Sequence, residues 1–340
     1  MRTLTGAEAK VIGALLGSGL ERQSEWLART GVPRSTFSVI RNRAFTEEWI
    51  CERGIPSPEL GFSYILFAIA RPHVESAEEL ARTWSQEKGA VLVWQAPEMV
   101  FGVFFARTVG ESEGLALRLR QGKLYHELTF WNVIPSGSKL PVYFDFEGVW
   151  GHVSGLPTVL YPRSLPFPQL RGPEGTPSDG LVKKVGEMLD RPFSGGAVAG
   201  EVRTMGPSGF PRSWRKLIAQ DWVSWRTFPD FARLPPYKEH ALARIALLHG
   251  ELVPGADPVG LFKNLVEECR VFPFLYAVDG RHFLMGAMGT ADAALNPNDK
   301  KRPVLTTLEE YLTGISATSC DVQRMRVVVN HRYERLLSGA

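Results

Sequence analysis

The spacing of apolar positions along this chain changes from a helical period to a strand period, and later does so again. From Gly6 to Leu16 the residues Ala7, Val11, Ile12, Ala14, Leu15 and Leu16 recur at helical spacing until Gly17-Ser18-Gly19 stops them. Residues 21–30 predict a short second helix ended by Gly31. Pro33 then sits where a first-turn proline opens a third helix, which runs to about Glu48. On that helix Phe37, Ile40 and Ala44 form an inner face, while Arg34, Ser38 and Arg41 fall together on another. Three short helices with a glycine before the third predict a helix-turn-helix, with Trp49-Ile50 and the Pro56-Ser57-Pro58 turn as a small wing.

Beyond residue 60 the period shortens. The pattern predicts a strand over 62–70, an amphipathic helix over 77–87 with Leu80 and Trp84 inward, and strands over 90–94 and 100–108. A helix over 113–120 and an alternating strand over 125–134 complete the split βαβ plan of a ferredoxin-like domain. Trp94, Phe101, Phe104 and Phe105 read as core residues of these strands. Residues 138–178 combine prolines and glycines with Tyr143, Phe144, Phe146, Trp150 and Tyr161, and read as a connector partly ordered by its aromatics.

The chain then repeats itself. Trp49-Ile50-Cys51-Glu52-Arg53-Gly54-Ile55-Pro56 returns in the second half as Trp222-Val223-Ser224-Trp225-Arg226-Thr227-Phe228-Pro229. Gly31-Val32-Pro33-Arg34-Ser35 returns as Gly209-Phe210-Pro211-Arg212-Ser213, again upstream of the tryptophan segment. Around these echoes lie predicted helices over 181–189 and 196–205 and one opening at Pro211. They are followed by a strand over 241–248, a helix over 257–268, strands over 271–276 and 282–288, a helix over 307–314 and a strand over 323–330. Repeats of this length suggest a duplicated two-part module rather than a solenoid. The expected fold is α+β: winged helix-turn-helix domains at 1–58 and 179–232, and ferredoxin-like βαββαβ domains at 59–137 and 233–340. A connector at 138–178 joins the halves, and the whole is arranged as a pseudo-dimer.

Composition adds limits more than detail. Over 340 residues the chain is 44% hydrophobic and 22% charged with a net charge of +3, enough to build two or more cores. Its longest apolar runs fall well short of the ~20 residues that span a bilayer, and the N-terminus has no signal-like pattern, so a cytoplasmic, nucleoid-associated location and no membrane partner are expected. Cys51, Cys269 and Cys320 are odd in number and lack CxxC spacing, which argues for reduced, structural thiols. The seven histidines show no HxxxH spacing, and no P-loop, nucleotide-binding glycine motif or nucleophile elbow is present. These absences lead to the expectation of a protein that is not an enzyme and holds no metal or cofactor.

The candidate chemistry lies on the third helix of each half. Residues 1–58 and 179–231 each carry eight basic against six acidic residues. Arg34, Arg41 and Arg43 suit phosphate oxygens and guanine edges, and Ser35, Thr36 and Ser38 suit the backbone. In the second half Arg212, Arg215 and Lys216 are the counterparts. Aligned from the prolines, Ala219 and Asp221 replace Arg41 and Arg43, so base discrimination is expected chiefly from the first half.

The predicted winged helix, the segment "WICERGIPSPELGFSYILFAIA" and the αβ pattern resemble the feast/famine, or Lrp/AsnC, class of prokaryotic transcription regulators. The second half is similar through "LVEECRVFPFLYAVDGRHFLMGAMGTADAAL". The resemblance implies double-stranded DNA as partner, a dimer partner built into the same chain and a small-molecule effector bound by the αβ layer near Gly280. Siroheme decarboxylases, some of them fused in tandem, share this architecture, and "DGRHFLMGAMG" is similar to their strand region. Their histidine and arginine pattern is not matched; that resemblance implies a tetrapyrrole substrate. A third reading is an interaction scaffold whose helix-turn-helices no longer bind DNA.

Overall fold

The computed structural model describes residues 2–16, 23–73, 75–133, 142–144, 173, 175–189, 212–237, 244–267, 272–278, 281–289, 303–321 and 326–328. The predicted helix over 196–205 and the turn at Gly280 lie outside them. The protein is α+β, built from short helices and antiparallel sheets.

The N-terminal helices are α1 (Gly6–Leu16), α2 (Gln23–Thr30) and α3 (Arg34–Thr46). α1 begins with a capping box. The Glu8 amide donates to the Thr5 hydroxyl at 3.3 Å, and the Thr5 amide donates to the Glu8 carboxylate at 2.9 Å. Gly31 takes φ 63° between α2 and α3, a backbone state that costs glycine little. α3 buries Phe37, Ile40 and Ala44 as its spacing predicts, and Phe37 stacks on Trp26 of α2 at 5.8 Å.

β1 (Ile50–Pro56) does not fold back as a wing. It pairs antiparallel with β7 (Val223–Pro229) from the other half of the chain, in a register that sets Arg53 opposite Arg226 and Glu52 opposite Thr227. The physical reason is that two exposed strand edges of matched length satisfy each other's amides and carbonyls. α6 (Asp179–Leu189) packs on β1 and α1 packs on β7, so each strand is covered by a helix from the opposite half of the chain. Local geometry recurs at the separation that relates Trp49 to Trp222. The Ser57 amide donates to the Trp222 carbonyl at 3.0 Å and the Asp230 amide to the Trp49 carbonyl at 2.8 Å. Glu48 and Asp221, each just before its tryptophan, both adopt left-handed backbone, with φ 55° and 60°.

Two five-stranded sheets follow. The first contains β2 (Tyr64–Pro72), β3 (Ala90–Ala96), β4 (Met99–Ala106) and β5 (Tyr125–Val133), with α4 (Ala77–Ser85) and α5 (Val109–Arg120) on one face. The second contains β8 (Arg244–Leu252), β9 (Phe272–Val278), β10 (His282–Gly289) and β11 (Leu312–Asp321), with α8 (Pro258–Glu267) and α9 (Pro303–Tyr311) on one face. The spatial orders are β3-β4-β2-β5 and β9-β10-β8-β11, which are the same arrangement.

Each sheet is completed by a short strand from the other half. β6 (Val142–Phe144), which follows β5, pairs with β9, while β12 (Arg326–Val328), which follows β11, pairs with β3. This corrects the expectation that a strand over 323–330 closes the second sheet. α9 ends at Tyr311 and β11 begins at once at Leu312, so the closing position is filled before residue 323 is reached.

Alternation sorts the strand side chains. Leu66, Ala68, Val100 and Phe104 lie under α4 and α5, whereas Phe67, Trp94, Phe101 and Trp131 belong to the core shared with Leu247, Leu275 and Leu284 of the second sheet. The stacked rings of Phe67 and Trp131, 5.8 Å apart, and of Trp94 and Phe101, 5.2 Å apart, thicken this inter-sheet layer. No helix among the described residues is long and apolar enough to cross a membrane.

Gly102 shows how closely the outer layer is packed. A Cβ placed there would lie 2.4 Å from the Phe104 ring and 3.1 Å from Trp84. Gly102→Ala is therefore expected to destabilise the protein by about 1–3 kcal/mol, the usual range for overpacking. Denaturant unfolding of the variant measures this, and a wild-type midpoint would contradict the packing described.

Candidate nucleic-acid interface and inter-sheet cleft

The exposed side of α3 carries Arg34, Ser35, Thr36, Val39 and Asn42, with Val39 59% exposed. Ser38 is half-buried, and its hydroxyl donates to the Arg34 carbonyl at 3.0 Å. The other two candidate arginines are engaged within the fold. The Arg41 guanidinium lies 5.7 Å from the centres of both the Trp26 and Phe45 rings, and its Nε is buried. Arg43 donates to the Glu8 carboxylate at 3.2 Å and stands 3.7 Å from Glu47. The three candidates therefore have three environments: Arg34 is exposed, Arg41 is half-buried against aromatic rings, and Arg43 is exposed but ion-paired with Glu8 and Glu47.

Glu8 is a buried anchor for this unit. Its side chain is 5% exposed and receives Arg2, Arg43 and both the amide and hydroxyl of Thr5. Burial opposes its ionisation, but the Thr5 hydrogen bonds and the Arg2 charge outweigh that cost and hold the carboxyl below its ordinary value.

In the second half α7 (Arg212–Ala219) buries Trp214, Leu217 and Ile218 and exposes Arg212, Arg215 and Lys216 on its polar side. Its C-terminus matches that of α3. The Trp49 amide donates to the Ala44 carbonyl at 2.8 Å, and the equivalent Trp222 amide donates to the Leu217 carbonyl at 3.0 Å. Alignment from the prolines is thus corrected: Lys216, rather than Asp221, corresponds to Arg43, and Trp214, rather than Ala219, corresponds to Arg41. Among the described residues α7 has 8 residues against 13 in α3.

A second constellation escaped the sequence pattern. Between the two sheets lies a cleft of about 10 Å³, lined by Ile69, Arg71, Glu127, Thr129 and Trp131 from the first sheet and His249, Ser316 and Thr318 from the second. The His249 ring stacks on Trp131 at 4.2 Å, and His282 lies 6.3 Å beyond it. Arg71 and Glu127 form a 3.2 Å ion pair at the rim. These residues come from strands far apart in the chain, so no spacing rule could have gathered them. His73 and His126 also meet, with ring nitrogens 2.9 Å apart. Among the described residues no group of three or more His, Cys, Asp or Glu is arranged to hold a metal ion.

No protein-family model matches the chain, and no curated protein matches it. Among solved structures it is similar to the siroheme decarboxylase NirDL, with 11% identity and a TM-score of 0.45 over 98% of this chain and 97% of that one. The same enzyme in complex with an iron-uroporphyrin III analogue gives a TM-score of 0.44 at 11% identity over the same shares of the two chains. E. coli AsnC is similar at 13% identity, with a TM-score of 0.30 over 40% of this chain and 95% of that one. The expectation that the chain is not an enzyme is overturned by the first of these findings, since the structure it resembles along nearly its full length is that of an enzyme.

The Glu8 cluster sets an acid limit on the N-terminal unit. Because the carboxyl's folded value is lowered, its stabilising contribution is complete above the ordinary value of 4.5 and is lost as pH falls through the folded one. Glu8→Gln should flatten that acid dependence in thermal melts recorded across the acid range. Arg43→Ala should cost about 1 kcal/mol at neutral pH, a modest figure because Arg43 is partly exposed and Arg2 still faces Glu8. Chemical denaturation of that variant measures the loss.

Proposed function

We propose that the protein is a sequence-specific, double-stranded-DNA-binding regulator whose two helical units act as paired readers carried by one chain. The observation that carries this reading is the β1–β7 ribbon. It holds α3 and α7 in corresponding positions with their C-terminal turns built alike, and leaves polar and cationic side chains of both helices in solvent. On this reading the halves arose by tandem duplication. The units at 1–58 and 179–232 are helix-turn-helix modules whose would-be wings pair with each other, and the ferredoxin-like units at 59–137 and 233–340 hold them as a pseudo-dimer. A palindromic site asks for two readers related by such symmetry, and separate halves in one chain are free to diverge.

Chemical roles follow from exposure. Arg212, Arg215 and Lys216 supply phosphate contacts, which position the protein without reading sequence. Arg34, Ser35 and Thr36, with Asn42 further along the same helix, supply the more selective face. Arg41 and Arg43 shape and stabilise α3 and do not touch bases. Effector sensing by the αβ layer is part of this proposal.

Replacing Arg212, Arg215 and Lys216 together by Ala should weaken binding to cognate and scrambled duplexes by similar factors. It should also reduce the slope of log K against log salt by about 0.9 for each phosphate that is no longer neutralised. Arg34→Ala should instead erode the preference for the cognate duplex. Selection from random DNA followed by salt-dependent titration gives both readouts, and a triple variant that binds like the wild type would overturn the assignment. Visible absorbance from a co-purified tetrapyrrole, without any DNA shift, would favour the decarboxylase-like reading.

A further inference from the structure

α3 turns an uncharged stripe away from the core. At about 100° per residue, Ser35, Val39, Asn42 and Thr46 fall within about 60° of one another, opposite the buried face of Phe37, Ile40 and Ala44, and all four are exposed. Arg34 lies to one side of the stripe and Arg43, ion-paired with Glu8 and Glu47, to the other. Cationic groups thus border a neutral centre, which matches a major groove whose base edges lie between two phosphate strands.

Two members of the stripe carry specific chemistry. Among the described residues the large hydrophobics standing in solvent are Val39, Val109 and Leu117, and the last two lie on α5, so Val39 is the one on the helical units. In the major groove thymine alone presents a methyl group. Valine laid over the polar edges of guanine or cytosine would instead desolvate groups it cannot hydrogen-bond. Asn42 follows at i+3, with Cβ atoms about 5–6 Å apart at that spacing, close enough for neighbouring base pairs. Its amide has one donating and one accepting end, which fits adenine N7 and N6 together.

The matched positions on α7 differ. With Trp49 equivalent to Trp222 through the C-terminal turns, Arg212 occupies the position of Val39 and Arg215 that of Asn42, and both are exposed. Neither a methyl contact nor an amide contact is repeated there.

We infer that α3 reads neighbouring A·T pairs in the major groove, Val39 meeting a thymine methyl and Asn42 an adenine edge, and that the half-site under α7 lacks this readout. The inference rests on the DNA-binding reading above and names the bases that reading leaves open.

The test uses the full-length protein and a duplex selected from random DNA. Each thymine is replaced in turn by deoxyuridine, which removes only the methyl, and each adenine by 7-deazaadenine, which removes only the N7 acceptor. One uracil position, in one half-site, should raise Kd about fourfold, the value of one buried methyl. A 7-deaza position at a neighbouring base pair should raise it about fivefold, the value of one hydrogen bond. Val39→Ser should abolish the uracil penalty and keep the 7-deaza penalty, and Asn42→Ala should do the reverse, a crossed pattern that a damaged fold would not produce. Tight binding of the selected duplex with indifference to every uracil, or a uracil penalty kept in Val39→Ser, would overturn this inference and leave the DNA-binding reading standing. Selection that enriches no duplex at all would overturn both.

Discussion

Everything else in this structure depends on one backbone constraint: two short strands from opposite halves of the chain satisfy each other's amides and carbonyls. A two-stranded ribbon has little stability alone, so it must be covered. α1 and α6 do so crosswise, each lying on the strand of the opposite half, and the Trp26, Trp49, Trp214 and Trp222 side chains join one continuous core around it. The exchange of β6 and β12 extends the same logic to the sheets. Each half lends a strand to an edge of the other, which leaves fewer unpaired edges and makes the halves mutually dependent.

Within that frame, identical residue types have different fates. Arg34, Arg41 and Arg43 lie on one helix, yet one faces solvent, one lies between aromatic rings and one is held by a buried carboxylate. A buried Glu8 without such partners would carry a large desolvation cost, so Arg2, Thr5 and Arg43 are required where they are. The outward cationic character of the molecule's paired helices consequently rests more on α7 than on α3. Net charge could not have revealed this, because residues 1–58 and 179–231 each carry eight basic against six acidic residues.

The cleft between the sheets is the counterpart of this asymmetry in the αβ layer. The shared strand order of the two sheets brings corresponding positions together, and the two halves place different residues there. The stacked Trp131 and His249 rings come from different sheets, so the environment of each depends on how the halves dock. Any group bound there would touch both halves at once, at the place where their relative position is set.

The sequence by itself determined the local elements: the three N-terminal helices, the inner face of Phe37, Ile40 and Ala44, and the strand-helix order of the αβ units. Helical and strand periods are properties of a few neighbouring residues and are legible without a partner. It also exposed the echo of the Trp49 segment at Trp222, which recurs in the structure as matched turns at Glu48 and Asp221. Only the tertiary structure decided that the supposed wing is half of a shared ribbon, that residues 326–328 belong to the first sheet and that Lys216 rather than Asp221 corresponds to Arg43. Only the fold could bring Trp131 to His249 or Arg43 to Glu8. Strand pairing uses backbone groups that every residue carries, and such contacts form between residues far apart in the chain, so no local pattern of side chains encodes them.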